Sequence, residues 1–293
     1  MDRIRALQRN LNHQTMRGIE IGPWFKPVVP KRVWDVAVVD FTDTDGLREI
    51  ARTHNDRNIR EAVDMVETVD VVWNGQALDE ACLRLSPQGY DFLIASHVFE
   101  HLPDLVTILQ QVGRLLKPEG YLTLALPDLR FTFDFFRNVT TTADVLLAHR
   151  QKRTRHTPEN LFMAESTNCW NQGMAMWPRQ SEVSLHVVSL LKPAYDIYLR
   201  ELANLGDPET PYVDSHAWVF TPSSFRLLIV ELHHLGLIPF QVLHIEDGEL
   251  GEFIVQLGKS GPELAENDVH TLRRQLMIAT VRELAERAAR LKD

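Results

Sequence analysis

DFLIASHVFEHLPD (residues 91–104) and LLKPEGYLTLALPD (residues 115–128) decide how this chain folds. Each contains a short run, 91–96 and 120–126, too apolar for a strand with one face in water, as expected of a parallel strand buried on both faces. Between them Leu105, Ile108, Leu109, Val112, Leu115 and Leu116 recur at helical spacing over 102–116, until Lys117-Pro118-Glu119-Gly120 breaks the pattern. Strand, helix and strand make a βαβ unit, so the two strands are parallel. Toward the N-terminus, residues 18–22 (GIEIG), 33–40 (VWDVAVVD) and 69–73 (VDVVW) predict three more strands of the same sheet. The link PWFKPVVPKR (23–32) holds three prolines in ten residues and is too rigid for a crossover helix. Residues 3–11 are helix-compatible and are the candidate to cover that face instead.

Toward the C-terminus the alternation lapses from 129 to 215, which reads as an insertion. It carries helical patches, a basic stretch, HRQKRTRH (149–156), and an aromatic and methionine cluster, NCWNQGMAMW (168–177). Thr221-Pro222 then starts a helix, with Thr221 as cap, running to about Gly236. Residues 238–246 and 252–258, joined by 247–249, predict an antiparallel hairpin. Residues 262–292 read as one long helix with Val269, Leu272, Leu276, Leu284 and Leu291 on a face, docked on the chain's own sheet or on a second copy. The expected domains are 1–261, with 129–215 as the cover over the substrate, and the C-terminal helix 262–293.

Composition narrows the function classes. With 44% apolar and 24% charged residues the 293-residue chain is globular. No stretch approaches the roughly 20 apolar residues of a membrane helix, and MDRIRALQRNLNHQ lacks the apolar core of a signal peptide, so the expectation is a cytoplasmic protein with no membrane partner. Two cysteines, Cys82 and Cys169, build neither a disulfide framework nor a thiolate zinc site. A net charge of −9, from 31 Lys and Arg against 40 Asp and Glu, opposes binding to nucleic acid.

In a doubly wound sheet, ligands bind beyond the carboxyl ends of the strands. Those ends here are Glu20-Ile21-Gly22-Pro23, Asp40, Asn74-Gly75-Gln76, Ser96-His97 and Pro127-Asp128. Gly22 allows a ligand near the backbone, and a carboxylate at Asp40 can accept both hydroxyls of a ribose. Asn74 or Gly75 can read a base edge. A dinucleotide cofactor would need Gly-x-Gly-x-x-Gly, and this chain has one glycine followed by prolines.

At these residues the chain resembles the class I S-adenosylmethionine-dependent methyltransferases. Glu20-Ile21-Gly22, Asp40, and above all the blocks 91–104 and 115–128 carry the resemblance, which covers residues 18–128 and the C-terminal hairpin. It implies a Rossmann-like, mostly parallel seven-stranded sheet with S-adenosyl-L-methionine as cofactor. Glu20, Gly22 and Pro23 would line its methionine and ribose, Asp40 its ribose hydroxyls, Asn74, Gly75 and Gln76 its adenine, and Ser96 and His97 its methionyl end. The departure is Gly22-Pro23-Trp24 in place of the family's glycine-rich loop, a feature similar to some bacterial methyltransferases of surface-polysaccharide synthesis. The acceptor expected is therefore a small polar molecule, a hydroxyl of a sugar or glycan precursor. The rival reading is a non-catalytic nucleoside-binding or scaffold protein of the same fold.

Methyl transfer is an in-line displacement in which the protein aligns the nucleophile and removes a tightly held proton. His97 is the first candidate base, with Asp128 and His216 beside it. Arg130, Trp170 and Trp177 are candidate substrate contacts, because guanidinium binds anions and aromatic faces stack on sugar rings. His97-x-x-Glu100-His101 is a partial match to the Glu-x-x-Glu-His metal pattern of related methyltransferases. With one carboxylate in it, the expectation is no metal.

Overall fold

The computed structural model describes residues 2–207, 209–248, 250–261 and 264–291. The first half runs α1 (Arg3–Leu7), β1 (Arg17–Ile21), β2 (Asp35–Asp40), α2 (Thr44–Thr53), α3 (Arg57–Glu61), β3 (Val71–Val72), α4 (Leu78–Leu83), β4 (Tyr90–Ser96), α5 (Leu105–Leu115) and β5 (Leu116–Pro127). The second half runs α6 (Thr142–Gln151), α7 (Pro158–Thr167), β6 (Cys169–Asn171), β7 (Leu185–Val187), α8 (Leu191–Ala203), α9 (Pro222–His234), β8 (Gln241–Asp247), β9 (Glu252–Gly258) and α10 (Glu266–Ala289).

Seven strands form one sheet in the order β3-β2-β1-β4-β5-β9-β8. Strands β1 to β5 pair in parallel, while β9 runs antiparallel to both β5 and β8, as the expected hairpin requires. Because the chain passes from β3 back over β2 and β1 to reach β4, the strand order reverses between β1 and β4. That switch point opens a crevice at the strand carboxyl ends.

Alternation along β4 sends Leu93 and Ala95 to one side and Phe92 and Ile94 to the other. The first side packs on α5, through Leu105, Ile108, Leu109 and Val112, and on α9, through Phe225, Leu228 and Leu232. On the second side lie Ala6 and Leu7 of α1 with Val28, Val29 and Trp34 of the proline-rich link. The N-terminal segment thus covers the face that no crossover helix reaches. Gly18 has no side chain because the Phe92 ring fills its place: a Cβ there would lie 2.0 Å from it.

Several boundaries differ from expectation. Helix α5 ends at Leu115, before Lys117-Pro118-Glu119-Gly120 as expected, but β5 begins at Leu116 instead of Gly120, pairing with Tyr90 across a register shift. Helix α5 starts later than residue 102, after Asp104, whose carboxylate caps Thr107 N at 3.0 Å. Thr221 caps α9 as predicted, in a reciprocal box with Ser224. In the loop 247–249, Glu249 lies outside the described residues, as do Pro262 and Lys292, the expected ends of the last helix.

Within 129–215, α7 packs on α8, β6 and β7 form a two-stranded antiparallel ribbon, and Phe131, Phe135, Cys169, Trp177 and Val183 make a small separate core. Helix α10 docks on α9 and on the turn Leu129–Phe131, burying Val269, Leu276 and Thr280. Among the described residues no helix is long and apolar enough to cross a membrane.

Candidate active site at the β1/β4 switch point

The crevice holds a cavity of about 500 Å³, within the range of small-molecule sites, lined by Glu20, Gly22, Pro23 and Trp24 from β1 and its loop and by Ser96 and His97 from β4. Gly22 sits at φ +66°, where a side chain would be strained, and its N–H donates to Val39 O at 2.9 Å. Glu20, 2% exposed, accepts the amides of Val28 (2.7 Å) and Val29 (3.0 Å). One carboxylate thereby holds the proline-rich loop over the cavity. Burial pushes its pKa up to about 7, against the lowering effect of the two amides.

His97 leaves β4 at φ +55°, its ring between two carboxylates: Nε2 lies 2.9 Å from Glu252 Oε2, and Nδ1 3.4 Å from Glu100 Oε1. Burial lowers its pKa most strongly, yet contact with Glu100 and Glu252 and their charge together raise it to about 9. Glu252 also accepts Arg3 Nε at 2.7 Å, and Arg3 Nη2 reaches Ser96 Oγ at 2.5 Å. Arg3, Glu252 and His97 form an ion-paired wall.

Next in the rim, Asp40 is 6% exposed, accepts the Phe41 amide at 2.8 Å, and has its pKa raised by burial to about 6. Its carbonyl receives Trp73 N at 2.7 Å, which sets the segment 74–76 beside it. Gln76 folds back, its amide donating to Val72 O (2.6 Å) and accepting Asn74 N (3.1 Å), while Gly75 takes φ +127°. Asp40 and Asn74 to Gln76 stand beyond the residues that line the cavity.

A family model described as a methyltransferase domain matches residues 4–179. The chain belongs to that methyltransferase family. Its activity is methyl transfer, and its cofactor is S-adenosylmethionine. No curated protein matches the sequence. Among solved structures it is similar to the CcbJ methyltransferase of Streptomyces caelestis, at 14% identity over 88% of this chain and 94% of that one, TM-score 0.43. A possible histamine N-methyltransferase of Thermotoga maritima aligns at 13% identity over 88% and 87%, TM-score 0.39. The mitomycin 7-O-methyltransferase MmcR aligns at 13% over 88% of this chain, TM-score 0.38, and the chain spans about half of that protein, 53%.

The fold of this methyltransferase corrects several residue roles expected from the sequence. The His97 ring is paired through Nε2 to Glu252 at 2.9 Å, with Nδ1 3.4 Å from Glu100, surroundings that favour a held imidazolium over a free base. Asp128 is fully buried and held by two guanidiniums, Arg130 at 2.7 Å and Arg179 at 3.1 Å, and it caps the turn at Arg130 N. It is an anchor, not a base. Arg130 is 6% exposed and is spent on Asp128 and on Glu286 of α10 (2.8 Å), which keeps it from a substrate anion. Trp177 is fully buried in the insertion's own core, so its ring face is closed to a sugar. Trp170 is 40% exposed but lies on the ribbon, outside the cavity lining. His216 is buried with Nδ1 2.5 Å from Asp134 Oδ2.

Three contributors escaped the sequence reading. Glu252 had a usable signal: an antiparallel strand beside β5 begins at the carboxyl rim, and Glu252 pairs with Pro127 there. Trp24 and Arg3 had none, because one sits in an irregular loop and the other in a short helix whose docking is tertiary.

Proposed function

We propose that this methyltransferase places S-adenosylmethionine across the ends of β1 and β4 and transfers its methyl group to a hydroxyl of a small polar acceptor, a sugar or glycan precursor of surface-polysaccharide synthesis. The residues present fit the cofactor. Gly22 offers exposed backbone, the Asp40 carboxylate suits ribose hydroxyls, Asn74 to Gln76 lie one strand further for adenine, and Ser96 and His97 stand at the methionyl end. When bound, the sulfonium supplies the electrophilic methyl carbon. The protein's own part is alignment and removal of water.

The observation that carries the acceptor class is the wall of Arg3, Ser96, His97 and Glu252, a continuous set of hydrogen-bonding and charged groups in and beside the cavity. A hydroxyl-rich acceptor can add hydrogen bonds to these charged groups, whereas an apolar ring would take water from them and return none. In the same lining, half-buried Trp24 and Phe25, with centroids 5.0 Å apart, provide an aromatic surface for the acceptor. The test is S-adenosylhomocysteine formation over a panel of nucleotide-sugars, glycan fragments, amines and phenols. Turnover with hydroxylated sugars is expected; turnover confined to amines or phenols would overturn the acceptor class.

A further inference from the structure

Glu100 is fully buried, and neither of its carboxylate oxygens has a hydrogen-bond partner. Two ring nitrogens lie near it, His97 Nδ1 at 3.4 Å and His101 Nε2 at 4.0 Å. A carboxylate withdrawn from water with no directed partner costs several kcal/mol, and a cation lodged against it removes that cost. His216 arrives on a segment tied to the same spot, since Ala217 N and Trp218 N both donate to Glu100 O, at 2.7 and 3.2 Å. One donor atom each of Glu100, His101 and His216 fall within 4.8 Å of one another. The two imidazoles meet edge to face with centroids 4.7 Å apart.

Both histidines are also oriented in the manner of metal ligands. Nδ1 of His101 lies 3.0 Å from Asp214 Oδ1, and Nδ1 of His216 lies 2.5 Å from Asp134 Oδ2. With Nδ1 engaged by a carboxylate, Nε2 is the nitrogen left to bind, and the outer carboxylate fixes both tautomer and ring direction. The geometry points to a site for one divalent transition-metal ion at Glu100, His101 and His216, positioned by Asp214 and Asp134. Two imidazoles and one carboxylate suit zinc or cobalt, while magnesium and calcium favour oxygen alone. The sequence expectation of no metal weighed His97, Glu100 and His101, with one carboxylate among them; the donor it did not weigh, His216, comes from the far side of the insertion.

Three protein ligands leave a coordination position open. On the hydroxyl-acceptor reading, and resting on it, an acceptor hydroxyl that reached that position would be held and made more acidic there. The test is direct binding: dialysis against Zn²⁺ with elemental analysis, and titration with Co²⁺ followed by its visible absorption. One ion per chain is expected. His101→Gln, at a side chain 28% exposed and so tolerant of change, and His216→Gln should each weaken binding at least a hundredfold, and Asp214→Asn about ten- to a hundredfold. Each variant's thermal unfolding, measured without metal, separates lost ligation from lost folding. Substoichiometric metal, or stoichiometric metal that folded His101→Gln retains with equal affinity, would overturn the site. Because the readout is binding, a failed sugar panel leaves this proposal standing, and absent metal leaves the acceptor class standing.

Discussion

Asp40 shows how one residue's surroundings give a prediction with a sign. In the ribose role proposed for it the carboxylate is ionised, yet burial has raised its pKa to about 6. Cofactor affinity should therefore fall as pH drops through about 6, by roughly tenfold per pH unit below it, since one proton must leave before binding. Calorimetry with S-adenosylhomocysteine from pH 5 to 8 checks this, with Asp40→Asn expected to be flat across the range. Asp40→Ala should weaken binding by roughly ten- to a hundredfold, the worth of a charged hydrogen bond of about 1.5–3 kcal/mol. Unchanged affinity in the folded variant removes Asp40 from the site. The two insertion tryptophans make a second contrast. Trp177→Ala should cost about 3–5 kcal/mol in urea unfolding because the ring is fully enclosed, while Trp170→Ala should cost under about 1 kcal/mol. Equal losses would contradict the separate core.

At the scale of elements, the proline-rich loop after β1 stands where a regular crossover would, and Glu20 fastens it. Holding that carboxylate in the interior costs more than its two amide bonds return, which is why its pKa rises from 4.5 to about 7. For an acid with a raised native pKa, the folded state keeps its proton over a range in which the unfolded chain has released it. Stability then declines as pH rises from about 4.5 to about 7. The wild type should lose up to about 3 kcal/mol more than Glu20→Gln between pH 5 and pH 8, because each pH unit separating the unfolded from the folded pKa is worth about 1.4 kcal/mol. Denaturation curves of the two proteins at both pH values test it; parallel behaviour would show that another group governs the change.

Across the whole molecule, α10 closes the structure from outside the sheet. It buries Val269 and Leu276 against α9, ties Glu286 to Arg130, Glu283 to Ser223 Oγ (2.7 Å), and Arg273 to Glu231 (2.7 Å), and through Arg287 holds the carbonyls of Phe135 and Arg137. A chain ending at Gly261 should be less stable by at least about 3 kcal/mol, since each of the two apolar side chains contributes about 1.5–3 kcal/mol by burial. It should also bind cofactor with little change, because α10 does not line the cavity. A truncated chain as stable as the full one would make the helix an appendage, in line with 262–293 as a separate unit.

Local chemistry alone determined the parallel strands, the cap at Thr221, the hairpin, and the polar residues at each strand end. Buried parallel strands, turn residues and the rim they create are written in consecutive positions, and they point to Glu20, Gly22, Ser96 and His97, which the fold brings to one cavity. Pairing between distant side chains is not written that way. Whether His97 is free or flanked depends on Glu252, which β9 brings to the rim by running antiparallel; whether Asp128 is reactive depends on Arg179 and Arg130; whether a tryptophan meets ligand or core depends on how the insertion collapses. The same holds for Glu100, whose partners at His101 and His216 meet only when the segment before α9 is hydrogen-bonded to the turn after β4. A residue's type states what it can do, and only the groups packed within a few ångströms decide which of those things it does.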